Sequence, residues 1–183
     1  MATATATVEF VPVELKLRGG RRVMLRAVRA GDKEKLQATL RGLSAESRYA
    51  RFMSPLRELS PTMLERATRP DPERELQLVA VIGESGQEEI VAGARYSAAP
   101  GSKDCEFAIA LSDEWHGQGL ARPLLESLMR AARARGFEHM EGYILSSNSR
   151  MLGLAKRLGF AEVTSPEGPT VRLMRRNLAS GKS

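Results

Sequence analysis

The chain has 183 residues, 42% hydrophobic and 27% charged, a composition of one globular domain with a substantial core rather than of a disordered chain. One Cys and two His exclude a disulfide framework and argue against an all-protein zinc site. The net charge of +6 rests on 6 Lys and 22 Arg, an excess that suits an anionic partner or simply solvated faces.

The first seven residues, Met-Ala-Thr-Ala-Thr-Ala-Thr, lack the basic and apolar regions of a signal peptide and read as a weakly ordered tail. No apolar run approaches the ~20 residues of a membrane helix, so no membrane partner is expected and the cytoplasm is the expected compartment. A β-like run covers Val23 to Val28, and Asp32 then stands as an N-cap for a helix reaching about Leu43. Ser44 to Leu59 is open between helix and ordered loop. Ser60-Pro61 reads as an N-cap with Pro at the first helical position, starting a short helix to Ala67.

Strands follow at Leu76 to Ile82, Ile90 to Ser97 and Glu106 to Leu111, with turn residues between them, which gives an antiparallel meander. Beyond Gly119, the stripe Leu120, Leu124, Leu125, Leu128 and Met129 marks a long amphipathic helix ended by Gly136. A strand near Met140 to Leu145, a helix from Asn148 to Leu158 stopped by Gly159, and strands near Phe160 to Val163 and Thr170 to Met174 finish the chain. The expected fold is a single α+β (mixed α/β) domain. Its bounds are expected at 21–178, with a tail or lead-in over 1–20 and a short tail over 179–183.

The segment Glu106 to Ala121 carries the chemistry: a strand, a turn with two glycines, and a helix start. Glycines let backbone N–H groups approach a ligand, and a helix N-terminus suits a pyrophosphate. A Gly-x-Gly pair is also compatible with a tight turn that binds nothing. A Rossmann fingerprint is missing its third glycine, and a P-loop its Gly-Lys-Ser/Thr.

His116-Gly117-Gln118-Gly119-Leu120-Ala121, after Trp115 and a strand, resembles the acetyl-CoA pyrophosphate loop of the GNAT N-acetyltransferase superfamily. Asn148 to Phe160 resembles that family's Asn-initiated helix ending in Leu-Gly-Phe. Leu43 to Phe52, Leu56 to Pro61 and Glu106-Phe107-Ala108 look like the bacterial protein lysine acetyltransferases, best known for acting on acyl-CoA synthetases. The resemblance spans Arg22 to about Arg176. It implies a mostly antiparallel central sheet flanked by helices, acetyl-CoA as co-substrate with no metal, and a protein lysine, such as one on an acyl-CoA synthetase, as acceptor. A small amine is the alternative acceptor, and the chain is expected as monomer or homodimer. A non-catalytic acyl-CoA sensor is a competing class. Nucleic-acid binding is not expected, because basic runs with interleaved aromatics are missing.

By the same resemblance, Ile109, Ala110 and Leu111 contact the pantetheine arm through their backbone. His116, Gly117, Gln118, Gly119, Leu120, Ala121 and Arg122 take the pyrophosphate, and Asn148 stands where the family often meets the cofactor. Asn148 is equally a helix cap, and Arg122, Arg150 and Arg157 equally solvated charges. His116 departs from the usual Arg or Gln. Ala155 replaces the Tyr that protonates the departing thiolate in many members, so a general acid is left unassigned.

Acetyl transfer to an amine requires removing a proton from an ammonium with a pKa near ~10.4. A carboxylate raised by burial does this. Strand alternation puts Phe107, Ile109 and Leu111 on the core face and Glu106, Ala108 and Ala110 on a groove face. Both this parity and the family match single out Glu106 as general base, against the alternative of an Arg-paired strand Glu. The same parity makes Cys105 a buried thiol. The basic cluster Arg48, Tyr49, Arg51 and Arg57 reads either as an acceptor patch or as a network with Glu46 and Glu58.

Overall fold

The computed structural model describes residues 9–179; the expected tail over residues 1–7 and the end of the chain from 180 lie outside them. Eight strands form one sheet: β1 (Val13–Lys16), β2 (Arg22–Ala27), β3 (Glu75–Ile82), β4 (Glu89–Ser97), β5 (Asp104–Leu111), β6 (His139–Leu145), β7 (Ala161–Val163) and β8 (Val171–Asn177). Their order is β1-β2-β3-β4-β5-β6-β8-β7. β3 to β5 form the expected meander, which β2 and β1 extend; β6, β8 and β7 continue as antiparallel pairs, while β5 and β6 run parallel. The parallel step follows from the helix between those strands, because a crossover returns the chain in the same direction.

Five helices cover the sheet: α1 (Lys33–Gly42), α2 (Ala45–Phe52), α3 (Pro61–Thr68), α4 (Ala121–Ala134) and α5 (Ser149–Arg157). The expected stripe of α4 is buried throughout, with Leu120, Leu124, Leu125 and Leu128 at 0% exposure. It joins Leu154 and Ala155 of α5, and Leu158 at that helix's C-cap, in the main core. A smaller cluster, Val79, Val81 and Ile90 with Leu36 of α1, lies apart from it. Gly136 and Gly159 take φ of 85° and 82° and end α4 and α5 as expected.

The ambiguous stretch after Ser44 resolves as helix α2. Ser44 Oγ accepts from Ser47 N at 3.1 Å, and Ser60 Oγ caps α3 by accepting from Met63 N at 3.2 Å beside Pro61. Asp32 differs from its expected role. It stands at the start of α1 but makes no side-chain cap bond; its carboxylate instead takes Arg26 Nη1 and Nη2 at 2.8 and 2.9 Å, and Arg29 N at 2.7 Å. Arg26 projects from β2 with its side chain 3% exposed, and a buried guanidinium needs a carboxylate far more than an exposed helix end needs a cap. β1 lies inside the 1–20 lead-in and forms the sheet's first edge, which its short Val-Glu-Leu-Lys run did not announce.

A candidate acyl-transfer cleft

Beyond Glu106 and Glu141 the pairing of β5 with β6 ends, although β5 continues to Leu111 and β6 to Leu145. Each strand remains paired on its other side, β5 with β4 and β6 with β8. Two backbone edges therefore face each other across a gap, with their inner N–H and C=O groups free of sheet partners. Phe107 and Gly142 are the residues that follow the last pair. The Phe107 ring lies so close to Gly142 that a Cβ there would come within 2.3 Å of it, and it packs edge-to-face on Phe160 at 5.3 Å between ring centroids.

The gap opens into a cleft of about 1350 Å³, larger than the roughly 300–1,000 Å³ of an ordinary small-ligand site. Phe107 to Leu111 and Tyr143 to Leu145 line its walls, and residues 115–123 close one end. Ile109 and Leu111 pack against the main core as expected but are only half-buried, because the departure of β6 also opens them to the cleft. Phe107 and Cys105, at 4% and 1% exposure, do enter the core. Burial pushes the Cys105 thiol up to about 12, with Asp104 and Glu141 adding to the effect, so it is inert.

The loop at the end of the cleft has the form its residues suggest. Gly117 and Gly119 take φ of 73° and 82°, and a Cβ on either would meet nothing within 4 Å. Glycine is needed there for the backbone turn rather than for space. α4 then begins with no side-chain cap and no acidic residue in its first turn. Its first N–H groups, with the positive end of the helix dipole, point to an anion. His116, Gln118, Leu120, Ala121 and Arg122 all line the same end. Leu120 is fully buried and anchors the turn, whereas Arg122 Nε donates to Glu126 at 2.9 Å across an exposed helical turn.

Asn148 also lines the cleft, and its Oδ1 accepts from Met151 N at 3.1 Å, which makes it the cap of α5. Ala155 is fully buried in the core. Trp115, at 1% exposure, serves as both packing and wall, with Arg21 stacked 3.7 Å from its ring centroid. His139 receives a partner from the parallel register: Nδ1 lies 2.9 Å from Asp104 Oδ1.

Glu106 stands on the groove face, exposed, immediately before the strand residues that line the cleft. Its carboxyl is pushed above the usual carboxylate range, first by the water its surroundings displace and then by the like charge of Glu141; Arg51 and Arg95 pull the other way. A poised carboxylate of this kind is suited to taking a proton from an amine near neutral pH. Ser97, Arg95 and Gly93 of β4 lie in register with Glu106, Ala108 and Ala110, so they share one face, on which Ser97, Gly93, Ala108 and Ala110 are small and Arg95 carries a charge.

Reading the sequence did not find Asp113. Its carboxylate accepts from Ser44 N at 2.8 Å, Ser44 Oγ at 3.2 Å and Ser47 Oγ, pinning the start of α2 over the end of β5. The pairing crosses 69 residues, and no local pattern signals it. Among the described residues no group of three or more His, Cys, Asp or Glu is placed to hold a metal, and no helix is long and apolar enough to cross a membrane.

A sheet that splits between two parallel strands beside a glycine turn and an uncapped helix defines a domain for acyl-group transfer. Residues 22–161 match the family model for the acetyltransferase (GNAT) domain, and the chain belongs to that family. It is 31% identical over 169 residues, covering 92% of this chain and 91% of the relative, to a protein named as an acetyltransferase from Pseudomonas aeruginosa. It is 28% identical over 154 residues to acetyltransferase Pat of Mycolicibacterium smegmatis, covering 82% of this chain and 44% of that protein. The GNAT domain of S. lividans PAT superposes with a TM-score of 0.83 at 28% identity, over 91% of this chain and 96% of that one. The fold also recurs in yncA of Salmonella typhimurium, solved with its cofactor acetyl-CoA, at a TM-score of 0.69 and 19% identity over 88% and 96%.

Proposed function

We propose that the protein transfers the acetyl group of acetyl-CoA to a primary amine, most directly a protein lysine side chain, by direct attack in a ternary complex with Glu106 as general base. The observation that carries this reading is the separation of β5 and β6 past Glu106 and Glu141, next to the Gly117–Gly119 turn. The residues present fit acetyl-CoA. The free inner edge at Ile109, Ala110 and Leu111 would hold the pantetheine arm, the amides of 117–122 the pyrophosphate, and Asn148 would add a polar contact beside its capping role. Bound there, acetyl-CoA supplies an acyl group on a thioester.

The chain's own contribution is binding and proton removal. Glu106 takes a proton from the acceptor ammonium, and its raised pKa brings its basicity closer to the working pH. The thiolate that leaves needs no strong acid, since a free thiol ionises near ~8.5. The likeness to the PAT domain supports a protein acceptor. The small-amine alternative draws on a second observation: 55 residues match the L-methionine sulfoximine/L-methionine sulfone acetyltransferase of Pseudomonas aeruginosa at 40% identity, 30% of this chain and 32% of that relative. Incubating a cell extract with labelled acetyl-CoA, with Glu106→Gln as control, tests the reading by mass spectrometry. Labelled lysines that depend on Glu106 support it. Label confined to small amines removes the protein-lysine acceptor.

A further inference from the structure

Among the described residues, the groove face holds a cation with no carboxylate in an ion pair with it. Of the basic cluster read from the sequence, Arg48 donates to the backbone oxygen of Leu43, and Glu58, expected in the same network, pairs with Arg41 at 2.9 Å. Arg51 behaves differently. It sits in the last turn of α2, which packs on β5, and it lines the cleft. Its guanidinium lies 4.7 Å from the ring centroid of Phe52, and among the described residues no carboxylate forms an ion pair with it. Burial lowers its pKa to about 10, with the like charge of Arg95 adding to the effect and Glu106 opposing it. Arg51 is half-buried at the cleft wall, and a guanidinium partly withdrawn from water without a carboxylate is costly to keep.

Arg95 shares this face, in register with Ala108, but its Nη2 is already held by Glu75 at 3.1 Å. Arg51 thus keeps its donors available in the same electrostatic neighbourhood as Glu106. Building on the acetyl-transfer reading, we propose that Arg51 is the anion subsite of the acceptor cleft and receives a carboxylate carried by the acceptor near its reactive amine. The chemical class is an amine with a neighbouring carboxylate. It is supplied either by a free amino acid or by a lysine flanked by an acidic residue in a peptide. The planar fork suits a carboxylate bidentately, and Arg95 adds positive potential beside it. Arg51 would position the acceptor; the proton removal remains with Glu106.

The test compares matched acceptors with the full chain: a lysine peptide with a Glu flank against its Gln counterpart, and an amino acid against its amide. The wild type is expected to favour the carboxylate member of at least one pair by tenfold or more in kcat/KM, and the pair that responds identifies the source. Arg51→Gln is expected to lose at least tenfold more on that carboxylate member than on the neutral member, mainly through KM, the loss common to both reporting the change in charge beside Glu106. Arg51→Lys, which keeps the charge without the fork, is expected between the two and guards against a folding defect. Equal losses on both members, or no wild-type preference in either pair, would overturn the subsite while leaving the acetyl-transfer reading intact. Acetyl-CoA binding with no transfer to any acceptor would remove both.

Discussion

Where β5 and β6 part, the Phe107 ring packs against a residue without a side chain, and Gly142→Ala tests that contact directly. A Cβ at position 142 would lie 2.3, 2.5 and 2.8 Å from three ring carbons of Phe107, where ordinary contacts begin near ~3.5 Å. The ring must move by about 1 Å, and it has little room, since Phe107 is 4% exposed and packed on Phe160. Overpacking costs about 1–3 kcal/mol, and a weakened edge-to-face pair about 0.5–1.5 kcal/mol more. A total of about 2–4 kcal/mol lowers Tm by roughly 4–16 °C for a domain of this size. Backbone strain adds nothing, because Gly142 is not among the positive-φ residues. Thermal unfolding followed by circular dichroism measures the shift, and Phe107→Leu in the Gly142→Ala background is expected to recover part of it. A Gly142→Ala protein melting within 1 °C of the wild type would refute this tight packing.

Other consequences follow from the same structure. Asp32→Ala leaves the buried Arg26 with Glu88, 3.0 Å from its Nη2, as its remaining carboxylate partner, and is expected to cost about 3 kcal/mol in denaturant unfolding, the low end for breaking a buried pair. Asp32 and Glu88 both sit below the usual carboxylate range: burial opposes this, but the hydrogen bonds and charge of Arg26 prevail in each. Their stabilising effect is therefore present above the unfolded pKa near ~4 and is lost as pH falls through the lowered values. A pH series of unfolding midpoints should decline on the acid side, with a shallower decline in Asp32→Asn. Cys105 is expected to react with a thiol reagent only on the timescale of unfolding; labelling within minutes in native buffer would contradict its burial. Asp113→Ala releases the start of α2 and is expected to raise the acceptor KM several-fold, with acetyl-CoA affinity nearly unchanged in a binding titration.

Local signals in the sequence were the ones that carried through. Ser60-Pro61, the leucine stripe of α4 and the glycines at 136 and 159 each act within one helical turn, and each element starts or stops there. The parity of β5 separated Cys105 and Phe107 from Glu106 because a strand's alternation is fixed by its own backbone. What stayed hidden depends on distant residues. Asp32 reads as a cap until Arg26 is seen buried beside it. Ile109 and Leu111 do pack on the core, but their second role as cleft wall appears only when β6 turns away, and Arg51 reads as one of a basic cluster until α2 is pinned by Asp113. The glycine turn was visible as a motif, but the free strand edges that make it part of a long cleft come from the register between residues 104–106 and 139–141.

The central claim is that Glu106, raised in pKa on the groove face, removes the acceptor's proton beside this cleft. Its most direct measurement is the pH profile of kcat/KM for thiol release with a responsive amine, wild type against Glu106→Gln, together with an acetyl-CoA titration of both. The account predicts a wild-type rate that rises with pH through a value above the ordinary carboxylate range. It further predicts at least a tenfold loss in Glu106→Gln with that inflection gone, and acetyl-CoA affinity unchanged within twofold. Equal turnover by the two proteins, or the same inflection in both, would contradict it.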